Sequence, residues 1–175
     1  MFIRYFVELA IPPDRVEGVL LATPARWLPG LARIAATRGE GLLAEVGIGP
    51  LGPRLGVPVT VELGDPVRFP GKMLLPMTWE PVKGGGLFPS LDADLELGPL
   101  GPERTQLAIS GRYQPPLGRV GRAVDRGLLH RVAEATVKDF LDRVAEAIQT
   151  RVDAAAPRSE RPLVPHSGVP GRERR

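Results

Sequence analysis

Eleven apolar residues near the C-terminus recur at spacings of three and four: Val120, Val124, Leu128, Val132, Ala133, Val137, Phe140, Leu141, Val144, Ile148 and Val152. That period puts them on one stripe of a single long helix over 118–152. Gly118, Gly121 and Gly127 make its first third the weakest part, because glycine holds a helix poorly. A stripe of that length must be buried against a surface with an apolar face of its own. The preceding sequence has to supply that surface.

It does so with strands. Met73, Leu75, Met77 and Trp79 alternate with other residues, as do Leu91, Ala93, Leu95 and Leu97 with Asp92, Asp94 and Glu96. Leu107, Ile109, Gly111 and Tyr113 continue the pattern against Gln106, Ala108, Ser110 and Arg112. A period of two marks strands with one face toward a core. Val57, Val59, Val61 and Leu63 read as a further strand, residues 67–69 as a short one and 42–48 as another. Gly64-Asp65-Pro66, Lys83-Gly84-Gly85-Gly86 and residues 98–102 separate them as turns. Connections this short favour antiparallel hairpins.

The chain opens with one more strand, over 2–10, with Ile3, Tyr5, Val7 and Leu9 on one face. Pro12-Pro13-Asp14 then starts a short helix carrying Val16, Val19 and Leu20. A second short helical piece over 25–32 is expected to be cut by Pro29-Gly30. The class is α+β: an antiparallel sheet of about six to seven strands, two short helices after the first strand, and one long terminal helix.

Composition removes several functions. Of 175 residues none is cysteine, which excludes a disulfide scaffold, a thiolate metal site and a cysteine nucleophile. His130 and His166 are the only histidines, too few for a histidine metal site. The net charge of +3 resides in residues 157–175, which hold five Arg and two Glu. The rest of the chain is neutral, so nucleic-acid binding by the folded part has little support. Pro-rich and poor in apolar residues, the tail over 153–175 is expected to be disordered. The folded domain is then 1–152. Arg4 and Glu8 interrupt the N-terminal apolar run, which therefore does not read as an export signal. A cytoplasmic location is expected.

The opening strand with its Pro-Pro-Asp helix start and Trp27-Leu28-Pro29-Gly30, the strand over 105–113, and the terminal helix from Gly127-Leu128-Leu129-His130 through Phe140-Leu141 to Ile148 together resemble the START-like helix-grip (SRPBCC) superfamily, in particular its bacterial polyketide cyclase/dehydrase-like branch. The resemblance covers about residues 1–152. It implies a curved sheet wrapped around the long helix and an apolar cavity between them. It also implies binding of a lipid, a polyketide or a similar hydrophobic molecule. Two alternatives stay open: a polyketide cyclase or aromatase, and a protein-interaction module of the same fold. No cofactor is implied.

Strand parity and helix period nominate a lining for that cavity. Met73, Leu75, Met77, Trp79, Ile109 and Tyr113 come from the strands, and Leu129 and Val132 from the helix. Trp27 is placed at the mouth. Ordinary core is the plain alternative for these side chains. Arg112 is expected to face solvent. Arg119, Arg122 and Arg126 form one stripe of the helix's first turns, suited to an anionic group or to plain solvation. His130 lacks a base partner selected by spacing; Ser110 and Asp125 are the only nominees. Asp92, Asp94 and Glu96 share a strand face, and a solvated face fits them better than a metal site.

Overall fold

The computed structural model describes residues 2–45, 59–82, 90–114 and 126–155. In chain order the elements are β1 (Phe2–Leu9), α1 (Pro13–Ala22), α2 (Pro24–Glu45), β2 (Val59–Leu63), β3 (Val67–Phe69), β4 (Lys72–Pro81), β5 (Ser90–Gly101), β6 (Arg104–Gln114) and α3 (Arg126–Ala155). The six strands form one antiparallel sheet in the order β1-β6-β5-β4-β2, and β3 also pairs with β4. The class is α+β, as expected.

The predicted parity holds across the sheet. Met73, Leu75, Met77 and Trp79 of β4 are buried, as are Leu91, Ala93, Leu95 and Leu97 of β5 and Leu107, Ile109 and Tyr113 of β6. Together they make the inner face. Asp92 and Arg112 are exposed on the outer one. Two turns show why particular residues are required. Pro70-Gly71 joins β3 to β4, with Phe69 paired to Lys72, and Gly71 has φ +79°. Proline before a glycine of positive φ is the composition of a type II turn. At Gly111 a methyl group would lie 2.4 Å from both Ala93 Cβ and Asp92 O. Only glycine lets β6 approach β5 so closely there.

α3 lies against the inner face and buries Val132, Ala133, Val137, Phe140, Leu141, Val144, Ile148 and Val152, the predicted stripe. It runs to Ala155, three residues beyond Val152. Residues 118–125 lie outside the described residues, as do the tail from 156 and the glycines 84–86.

Three expectations are corrected. The second helix is not short: α2 has 22 residues and passes through Pro29 without stopping. Proline there removes one backbone donor, a cost of about 3 kcal/mol in a helix interior. The helix continues because Leu28, Ala32, Ala35 and Ala36 recur on one face and are fully buried as α2 packs along α3. The Arg38–Asp139 pair, at 3.7 Å, crosses the same seam. The strand over 42–48 is likewise overturned in its first half, since residues 42–45 belong to α2; residues 46–48 lie outside the described set. Finally, residues 98–101 are not a turn. β5 continues to Gly101, held by pairing with β6 across an irregularity between Pro99 and Gly101.

Candidate functional site

The inner face carries one row of large side chains beneath α3. Trp79 of β4 is the cross-strand partner of Leu91 of β5, and Leu91 is the partner of Tyr113 of β6. All three are buried. Phe140 of α3 closes on this row, its ring meeting Trp79 at 5.3 Å between centroids and 89° between planes. Met77 lies one residue pair along β4, opposite Ala93, which in turn faces Gly111. The small pair Ala93 and Gly111 therefore sits beside this row of large side chains.

Polar groups in this core are few. The buried hydroxyls of Thr105 and Thr136 each donate to a backbone carbonyl, of Ile11 at 2.7 Å and of Val132 at 2.8 Å. Desolvation pushes the Tyr113 phenol well above its ordinary pKa, so it stays protonated at neutral pH. Trp79 differs from the threonines. Its Nε1–H is buried and finds no acceptor among the described residues. A buried donor left unpaired costs about 1–3 kcal/mol.

Of the nominated residues, Trp27, Met73, Leu75, Met77, Trp79, Ile109 and Tyr113 all belong to one core. Val132 is buried on α3. Leu129 lies on α3, with its side chain outside the described set. Trp27 reaches the core from α2. It sits on α2 under the Arg151 guanidinium, which stands 5.1 Å from its ring centroid. Arg151 is eleven residues beyond Phe140, about 16 Å along the helix axis.

The other nominees stay apart. His130 faces Glu134 one turn on, with 3.1 Å between Nε2 and Oε1. Ser110 points to the outer face of the sheet, opposite Arg4 of β1 and Asp94 of β5, and so cannot serve His130 as a partner across the core. Asp125, Arg119 and Arg122 lie outside the described residues, as does the Arg126 side chain. Glu96 pairs with Lys72 at 3.8 Å on the outer face. Among the described residues no three acidic or histidine side chains gather as a metal site, and no helix is long and apolar enough to cross a membrane.

One concavity was not announced by the sequence. Between β1 and α3 lies a groove of about 400 Å³, lined by Ile3, Arg4, Tyr5, Arg131, Glu134, Ala135 and Lys138.

No family model matches this chain. No curated protein is similar to it. Solved structures are. A conserved protein from Geobacillus kaustophilus superposes with a TM-score of 0.53 at 16% identity, over 86% of this chain and 96% of that one. The Zhui aromatase/cyclase from Streptomyces sp. R1128 matches at 17% identity over 89% of this chain and 97% of that one, with a TM-score of 0.43. A START superfamily protein from Mycobacterium smegmatis matches at 13% identity over 89% and 99%, with a TM-score of 0.38. At such identities a likeness speaks for fold alone. The fold is the helix-grip arrangement expected from the order of elements: an antiparallel sheet closed over a long C-terminal helix.

Proposed function

We propose that this chain binds an apolar small molecule bearing a hydrogen-bond acceptor, held between the inner face of the sheet and α3. One observation supports the reading: the Trp79 Nε1–H, buried without an acceptor among the described residues, in a largely apolar core where the Thr105 and Thr136 hydroxyls are satisfied. A carbonyl or hydroxyl oxygen on the ligand completes that bond, and the apolar remainder replaces side-chain contacts. Met73 and Met77 lie on the same face of β4. Their unbranched side chains repack around a guest more readily than branched ones. Leu75, Ile109, Tyr113 and Val132 complete the proposed lining, with Trp27 at its mouth.

A cyclase reading asks for an acid–base pair facing the core. Its nominees are Tyr113 and His130: Tyr113 faces the core, but His130 pairs with Glu134 and Ser110 occupies the opposite face of the sheet, so Tyr113 has no basic partner from among them there. Binding therefore has the better support. A cytoplasmic setting belongs to the same proposal.

The test uses 9-fluorenone and fluorene, which share a skeleton and differ by a ketone oxygen. Trp27→Phe leaves Trp79 as the sole reporter, since the chain has two tryptophans. Fluorenone should shift Trp79 emission and bind about tenfold more tightly than fluorene, the worth of one hydrogen bond. Trp79→Phe should erase that difference. If neither compound binds and native mass spectrometry finds no copurified molecule, the proposal fails.

A further inference from the structure

The groove between β1 and α3 follows from the way the sheet ends. Among the described residues β1 is the last strand on its side, and none continues the inner face beyond Ile3 and Tyr5. α3 turns a separate stripe toward this edge: Arg131, Glu134, Ala135 and Lys138, at relative positions 0, 3, 4 and 7. The result is an apolar floor of Ile3, Tyr5 and Ala135 under a charged rim. Its volume of about 400 Å³ is in the range of small-molecule sites.

The rim charges are not equivalent. Lys138 Nζ is 2.5 Å from Asp142 Oδ2 and stands 5.2 Å from the Tyr5 ring centroid. The Tyr5 hydroxyl donates to Asp142 Oδ1 at 3.2 Å. Glu134 lies 3.1 Å from His130, a contact that matches its charge only when the imidazole is protonated. Asp142 is thus matched by its neighbours. Arg4 and Arg131 form no ion pair among the described residues, and both are exposed. One comes from the strand and the other from the helix, and both line the same groove.

We infer that this groove is a binding site, independent of the sheet–helix core, for a small amphiphilic anion: an acidic head held by the Arg131 guanidinium, with Arg4 at the edge of β1 adding positive charge, and an apolar body lying on Ile3, Tyr5 and Ala135. Guanidinium suits such a head because its planar fork can meet both oxygens of a carboxylate at once. The apolar floor selects against small hydrophilic anions, which gain nothing from it.

The probe is dodecanoate, titrated into the whole chain below its micellar concentration, with binding followed by calorimetry and by shifts of backbone amides. Dodecanoate should perturb β1 and the first turns of α3. Acetate, with the same head, and dodecyltrimethylammonium, with the same tail, should bind at least about tenfold more weakly. The double variant Arg4→Gln/Arg131→Gln alters exposed side chains only and should fold normally by circular dichroism. It should lose dodecanoate affinity by about tenfold or more. Ala135→Trp should block the groove. Trp79→Phe should leave dodecanoate binding unchanged, which separates this site from the core site. The proposal is overturned if the double variant binds dodecanoate as the parent does, or if the cationic amphiphile binds equally well. It is also overturned if the chain ignores dodecanoate but sediments with phosphatidylglycerol vesicles, since the groove would then be serving a membrane surface.

Discussion

Trp79 and Phe140 meet edge to face, 5.3 Å apart between centroids, and join the middle of the sheet to the middle of α3. The two residues are 61 positions apart in the chain, so this pair closes the fold over a long loop. Both are fully buried. Phe140→Ala should therefore cost about 3–5 kcal/mol, from lost burial and the cavity left behind. Phe140→Leu should cost less. Urea unfolding read by circular dichroism measures both, and equal losses would show that the ring geometry adds nothing beyond bulk.

The parity of β5 yields a paired test. Leu95 is fully buried on the inner face, whereas Glu96 is half-buried on the outer face beside Lys72. Leu95→Asp should be severely destabilising, by more than about 4 kcal/mol, because it places an unpaired charge in the core. Glu96→Gln should stay within about 0.5 kcal/mol, the usual range for surface changes. Thermal melts of the two variants suffice to check this.

Gly111 is expected to tolerate no side chain. In Gly111→Ala the new methyl would stand 2.4 Å from Ala93 Cβ and from Asp92 O. The strands must separate locally, at a cost of about 1–3 kcal/mol. Ala93→Gly removes one of three close contacts, leaving Asp92 O and, at 2.6 Å, Ala93 Cα, and should rescue only part of the loss. A double-mutant cycle should show a favourable coupling between the two positions, because they are in contact.

Burial raises the Tyr113 pKa above that of the unfolded chain, near 10. The folded state then holds its phenolic proton where the unfolded state has begun to release it. Stability from this source is complete below about pH 10 and declines as the pH rises further. Denaturant midpoints compared at pH 8 and pH 11 should fall for the parent and fall less for Tyr113→Phe. Tyrosinate absorbance should show one of the chain's two tyrosines ionising only on unfolding.

Where alternation or helical period was strong, the elements were readable. β1, β4, β5 and β6 and the described length of α3 carry large apolar residues at fixed spacing, and each buries the face its period marks. α2 was not readable as one helix. Its buried stripe includes Ala32, Ala35 and Ala36, residues too small to stand out, and Pro29-Gly30 argues locally for a break. Residues 42–45 read as strand for the same reason: their apolar run does not reveal whether a helix or a sheet will cover it. The last turn of β5 lost its local argument to pairing, since β6 offers hydrogen bonds all the way to Gly101.

The candidate sites divide along the same line. That Met73, Leu75, Met77, Trp79, Ile109 and Tyr113 face inward follows from a period of two, and that Val132 is buried follows from the period of α3. That Trp27 packs under Arg151, that Ser110 turns its back on His130, and that Trp79 Nε1 lacks an acceptor among the described residues depend on which elements become neighbours. The groove shared by Arg4 and Arg131 is set at the same level, by the sheet ending at β1 and by α3 crossing beside that edge. Period and composition act over a few residues and determine which face of an element avoids water. The partner that covers that face is chosen by long-range burial, whose free energy is roughly proportional to area and blind to distance along the chain.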